Sequence, residues 1–309
     1  MALLVDGGGS RSATAPSSDG ARSGGLLAQF RVQVTHTWRH GRPAQLRRPQ
    51  LFNELVQHRK LFDRDPRFPL FADKVAVKPI VAATLGREWV TPTLWQGSRL
   101  PQRACWPAPF VVKARHGCGQ HAFVRSEDVD WSEIRRRAHG WTRERYGIWL
   151  DEWLYGQIER GLLVEQFIGE DGALPIDYKI FVFGGRAAFV QVHLSREHHH
   201  RWIVLDTDWR PVSRDDDAPP RPRSLPAMLA AAETLSEGFD FVRIDFYEVA
   251  GTPRFGEMTF YPGSGLDPFD PIELDATMGR LWLAAGAGVS GKTGAGTGSA
   301  GRRRVASYA

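Results

Sequence analysis

Apolar positions change period several times along the chain, and each change marks a predicted element. From Gln50 to Leu61 the spacing of Leu51, Leu55, Val56 and Leu61 fits one face of a helix. Asp73 is placed to cap a second helix running through Val77, Val81 and Leu85. Phe110, Val111 and Val112 read as a short strand ending at Lys113, with Ala122, Phe123 and Val124 as its return, so His116-Gly117-Cys118-Gly119 becomes the tip of a hairpin. A tryptophan-rich helical stretch is expected over about 131–157, then a buried strand at Leu162-Leu163-Val164. Tyr178 to Phe183 and Ala187 to His193 read as a hairpin turned at Gly184-Gly185, and Leu225 to Ser236 as a helix. Two last strands follow, Phe241 to Val249 and Arg254 to Phe260. Hairpins interleaved with helices predict an α+β fold rather than a doubly wound parallel sheet.

The last two strands carry the most chemistry. With a three-residue loop centred on Gly251, Asp245 lies opposite Glu257 and Arg243 opposite Thr259. Alternation then puts Val242, Ile244, Phe246, Met258 and Phe260 on an apolar face, and Arg243, Asp245, Glu257 and Thr259 on the other. Two carboxylates roughly 5 Å apart repel unless one is protonated or a cation lies between them. Magnesium, which takes oxygen ligands and shares them with substrate phosphates, is the simpler solution, with Arg243 neutralising charge on a transferring phosphoryl group. The same residues also fit a solvated strand face on which Arg243 and Arg254 merely pair with the acids.

Composition narrows the function classes. The 309 residues are 42% hydrophobic, enough for a core, while the Gly/Ser-rich residues 1–25 and the Gly/Arg-rich residues 285–309 are expected to be disordered, leaving 26–284 as the domain. Residues 26–75 are too few for a complete nucleotide-like domain ahead of it. The net charge of +5 suits an anionic partner, but no nucleic-acid motif or basic stripe accompanies it, so nucleic acid is not expected. Cys105 and Cys118 are too few for a disulfide framework or a four-cysteine zinc site, which points to the cytoplasm. No apolar stretch reaches bilayer-spanning length, which leaves only a peripheral membrane association open. His193 and the run His198, His199 and His200 cannot all reach one ion and read as a polar loop.

The string Phe241-Val242-Arg243-Ile244-Asp245-Phe246-Tyr247-Glu248-Val249 with Phe255-Gly256-Glu257-Met258-Thr259-Phe260-Tyr261-Pro262-Gly263-Ser264-Gly265 resembles the signature of the TupA-like branch of the ATP-grasp superfamily, named for teichuronopeptide biosynthesis. The resemblance extends through Leu61-Phe62-Asp63-Arg64-Asp65, Asp73-Lys74-Val75-Ala76-Val77-Lys78, Val111 to Gly119, Val164-Glu165-Gln166-Phe167 and Asp177 to Gly185, in order over roughly residues 50–284. It implies two α+β subdomains holding ATP between them. Lys113 resembles the strand lysine that contacts the phosphates, with Gly117 and Gly119 in the loop above them. Lys78, close to Lys74, resembles the earlier phosphate-contacting position. Glu165, Gln166 and Phe167 resemble the hinge that meets the adenine edge, with Asp177 near the ribose and Lys179 near the phosphates. Asp245 and Glu257 match the magnesium ligands, and Thr259 stands where many superfamily members have asparagine.

The activity implied is attack of a carboxylate on the γ-phosphate of ATP, followed by displacement of the acyl phosphate by an amine. The acceptor would be a uronic acid or acidic polymer of a cell-surface polysaccharide. The alternatives are a glycosyltransferase and a non-catalytic scaffold that binds nucleotide or polysaccharide.

Overall fold

The computed structural model describes residues 24–169, 173–194, 201–214 and 217–294; residues 1–23 and 295–309, the outer parts of the two expected tails, and His198, His199 and His200 lie outside them. Helices α1 (Leu26–His40), α2 (Phe52–Phe62), α3 (Arg67–Ala72) and α4 (Val77–Leu85) come first. Asp73 caps the entry to α4, its Oδ1 accepting from the amides of Val75 at 2.9 Å and Ala76 at 3.2 Å.

Two antiparallel sheets follow. Strands β1 (Thr93–Gly97), β2 (Phe110–Ala114) and β3 (His121–Val124), helix α5 (Trp131–Arg143) and strand β4 (Leu162–Gln166) build a smaller layer whose strand order is β1-β4-β2-β3. Strands β5 (Asp177–Phe183), β6 (Arg186–Leu194) and β7 (Arg201–Asp206), helix α6 (Leu225–Leu235), strands β8 (Phe241–Val249) and β9 (Thr252–Thr259) and helix α7 (Glu273–Gly294) complete a five-stranded sheet ordered β7-β6-β5-β8-β9. The fold is α+β, as expected. In the smaller layer Phe110, Val112, Leu162 and Val164 pack with Ile134 and Ala138 of α5. Alternation therefore turns Val111, Lys113, Leu163 and Glu165 the other way.

Three expectations need revision. The helical stretch over 131–157 stops at Arg143: Glu144 is extended, Gly147 takes φ 81°, and only a short 3-10 turn at Trp153–Gln157 resumes. α7 runs to Gly294, ten residues beyond the boundary drawn from composition. The β8–β9 loop has two residues, Ala250 (φ 50°) and Gly251 (φ 74°), the left-handed pair of a tight hairpin turn.

A two-residue loop alone would set Asp245 opposite Gly256. The ladder instead shifts between Asp245 and Phe246, so Asp245 does face Glu257 and Arg243 faces Thr259. The extra residue of the bulge is Gly256, where a Cβ would lie 3.0 Å from the carbonyl oxygen of Asp245.

Candidate active site

β5 pairs β8 with Lys179 beside Asp245 and Asp177 beside Tyr247, so the period of two gathers Asp177, Lys179, Asp245 and Glu257 on one face of the sheet. Lys179 Nζ sits 2.6 Å from Asp177 and 2.5 Å from Asp245. Arg243 forks both oxygens of Asp245, at 2.7 and 2.8 Å. The repulsion between the opposed acids is thus met within the chain by side-chain cations. Burial works to lower the pKa of Lys179, but Asp177 and Asp245 outweigh it and hold the ammonium above its ordinary value.

Glu257 is held more loosely. Its oxygens lie 3.5 Å from Lys74 Nζ and 3.8 Å from Arg243, with the Thr259 hydroxyl donating to it at 3.4 Å. Burial favours its neutral form, yet Lys74, Lys179 and Arg243 keep the carboxyl below its usual range.

Opposite this face lies the smaller sheet. Lys113 Nζ of β2 meets Glu165 Oε2 of β4 at 2.5 Å, and Lys78 of α4 meets the other oxygen. Burial would raise the Glu165 carboxyl, but Lys113 and Lys78 hold it down at about 2. Lys78 also donates to the Thr91 carbonyl at 2.9 Å and the Thr93 hydroxyl at 2.6 Å.

Between the sheets runs a cavity of about 470 Å³ lined by Val111, Phe123, Phe167, Ile168, Leu174 and Phe255, with Lys78, Lys113, Glu165 and Gln166 on its rim. Its neighbour, about 180 Å³, is bordered by Lys74, Lys113, Gly117, Gly119, Asp177, Lys179, Asp245 and Glu257. Lys113, His121, Glu165, Tyr247 and Gly256 line both, so the apolar cavity and the polar pocket meet at that seam. Of the residues singled out from the sequence, Arg243 and Thr259 line neither cavity; both stand behind the carboxylates they touch.

Lys74 is the residue the sequence left in second place. Its ammonium reaches the Gly117 carbonyl at 2.7 Å as well as Glu257, tying the glycine loop to the acidic strand. The clue was its position directly after the cap Asp73, whose carboxylate also holds Arg115 at the start of that loop at 2.8 and 2.9 Å. Cys118 is half-buried, its Sγ 3.4 Å from the Tyr155 hydroxyl; desolvation and the Glu257 charge raise its pKa, so the thiol stays protonated.

Residues 54–283 match the family model described as TupA-like ATPgrasp. No curated protein matches the chain. Among solved structures, D-alanine–D-alanine ligase from Bacillus anthracis, complexed with ATP, is similar at 14% identity and a TM-score of 0.46, over 72% of this chain and 67% of that one. L-amino acid ligase from Bacillus licheniformis is similar at 13% and 0.41, over 75% and 49% of the two chains. VanG D-Ala:D-Ser ligase from Enterococcus faecalis is similar at 14% and 0.43, over 71% and 62%.

Proposed function

Because the chain belongs to the TupA-like ATP-grasp family, we propose that it is an ATP- and magnesium-dependent ligase joining an amine to a carboxylate by way of an acyl phosphate. The observation that carries this reading is the seam between the cavities. An apolar slot suited to a purine opens at Lys113 and Glu165 into a pocket where cations and a glycine loop face paired acids.

In this reading Gln166 and Phe167 border the base and Asp177 the ribose, while Lys78, Lys113, Gly117 and Gly119 surround the phosphates. The donor set suits one magnesium ion shared with those phosphates, since carboxylate oxygens and few protein ligands are what that ion takes. Glu257 is the open ligand, its nearest cations being 3.5 and 3.8 Å away. Asp245 would be the second ligand, its carboxylate held in place by the fork of Arg243, with Lys179 beside it as a cation available to phosphate. Bound there, magnesium would polarise the transferred phosphoryl group.

The acceptor carboxylate oxygen bonds to the γ-phosphorus as the bond to the bridging oxygen of ADP breaks. The amine then adds to the acyl carbon and loses a proton, and inorganic phosphate leaves. A protonated Cys118 offers no competing nucleophile at this pocket. We take the acceptor to be a uronic acid or acidic polymer of a cell-surface polysaccharide, or its precursor, the amine an amino acid, and the setting the cytoplasm.

The test is a screen of uronic acids crossed with amino acids for ADP release, with hydroxylamine present. ATP-dependent hydroxamate in proportion to ADP is expected. Phosphate on a hydroxyl with no hydroxamate would defeat the ligase reading and leave the fold standing. Sugar transfer from a sugar nucleotide without ATP would favour a glycosyltransferase, and no ADP with any pair would favour a binding scaffold.

A further inference from the structure

Helix α1 precedes the residues matched by the family, and its two faces are both apolar. Val32 and His36 are buried, with Ala28 packed beside Leu46 and Leu61. Residues two positions on point the opposite way, about 200° round the helix. They are Leu26, Phe30, Val34 and Trp38, spaced four apart, and they are 85, 67, 51 and 78% exposed; Leu27 beside them is 76% exposed. Their stripe spans about 18 Å at 1.5 Å per residue. A contiguous apolar face of this kind marks an interaction surface rather than scattered surface residues.

The patch continues onto a second segment. Arg31 bonds the carboxylate of Asp151 through its Nε at 3.1 Å and through a second nitrogen. That bond brings the turn bearing Ile148 (54% exposed) and Trp149 (75% exposed) alongside α1. Ala28, Arg31 and Ile148 together border a cavity of about 360 Å³. Two cations line it as well: Lys60, which donates to the carbonyl and hydroxyl of Ser264 at 3.0 Å, and Arg64, which donates to the carbonyls of Lys60, Leu61 and Asp63. Asp151 and Glu152 border the same cavity and set acidic charge beside Lys60.

The exposed charge of this segment is positive: of the arginines in residues 24–53, Arg31 pairs with Asp151 and Arg42 with Glu54, while Arg39, Arg47 and Arg48 are exposed, and the segment has no aspartate or glutamate of its own. A two-fold contact between copies would set these arginines against each other, because a symmetric dimer presents the same patch on both sides. A negatively charged bilayer surface matches both features: apolar side chains enter the acyl boundary while arginines meet head groups. We infer that α1 and the Ile148–Trp149 turn dock this protein on an anionic lipid surface, without a spanning segment. No helix among the described residues is long and apolar enough to cross a membrane.

The test is sedimentation of the full chain with vesicles of phosphatidylcholine alone or mixed with phosphatidylglycerol, with the oligomeric state followed in parallel by light scattering. Binding to the anionic vesicles is expected, weakening with salt and falling about 100-fold in Phe30→Ser/Trp38→Ser, since each of the two apolar side chains withdrawn from the lipid costs about tenfold. Both positions face solvent, so the variant should melt at the wild-type temperature. Equal binding by the variant, or no binding to either vesicle, would overturn the inference. A dimer that the double variant dissociates, with no vesicle binding, would assign the stripe to a second copy of the chain instead.

Discussion

Glu165→Gln tests how the two halves of the cleft are held before any ligand arrives. Glu165 is 6% exposed and lies between Lys113 and Lys78. Against the cost of its burial, those lysines bring its pKa from the usual 4.5 to about 2. A fall of that size corresponds to about 3 kcal/mol of folding stability at neutral pH. Lys78 offers no compensation, because burial already lowers its own pKa in spite of Glu165 and would lower it further without that carboxylate. We therefore expect a loss of about 3 kcal/mol in the variant, or roughly 5–10 °C in melting temperature for a domain of this size. The glutamine keeps acceptor and donor groups, and Lys78 keeps the Thr91 carbonyl and Thr93 hydroxyl, so the loss is one of charge rather than packing. A depressed carboxyl stabilises above its unfolded pKa and ceases to do so as pH falls through its folded one. The gap between wild type and variant should thus be full at pH 7, narrow below pH 4.5 and close near pH 2. Thermal unfolding followed by circular dichroism across that range is the assay. A gap that stays constant between pH 7 and pH 3, or no gap at pH 7, would refute the reasoning.

Two further substitutions separate chemistry from framework. Glu257→Gln should cut ADP formation by about 100-fold or more while moving the melting temperature little, because its cations lie 3.5 Å or more away; normal turnover at saturating magnesium would remove it from the metal site. Gly256→Ala should cost about 1–3 kcal/mol and most of the activity, since its Cβ would press on the Asp245 carbonyl oxygen and disturb the bulge; an unchanged urea midpoint would show that the strand absorbs it.

Much of this fold was legible because its elements announce themselves locally. α4 has its cap and apolar spacing, the β5–β6 hairpin has the Gly184-Gly185 turn, with φ of 56° and 83°, and β8 alternates apolar Val242, Ile244 and Phe246 with Arg243 and Asp245. What escaped was set by tertiary contact. β7 lies at the sheet edge beside β6, and α1 presents apolar residues on both faces, so neither has the one-sided pattern that periodicity detects. The register of Asp245 on Glu257 was read correctly from an incorrect loop. A two-residue turn and a bulge at Gly256 add up to the offset that a three-residue loop would have given, and a strand pattern cannot tell the two apart.

The paired acids show where a sequence argument about charge reaches its limit. Opposed carboxylates demand a cation, and spacing along two strands, with Arg243 and Arg254 as the cations near in the chain, leaves room for a bound metal. Lys179 lies 66 residues before Asp245, yet the β5–β8 ladder sets it directly beside that acid. Lys74, farther still, approaches Glu257 from the turn that precedes α4. Before ligand binds, the chain therefore supplies the counter-charge itself, and it supplies it unevenly: Asp245 is held by contacts of 2.5 to 2.8 Å, while those of Glu257 with Thr259, Lys74 and Arg243 run from 3.4 to 3.8 Å. A polyanion entering the pocket competes for the same lysines. Drawing Lys179 and Lys74 toward phosphate would free acid oxygens at the moment a divalent ion arrives with that phosphate, so the pocket would need no separate device to couple nucleotide and metal.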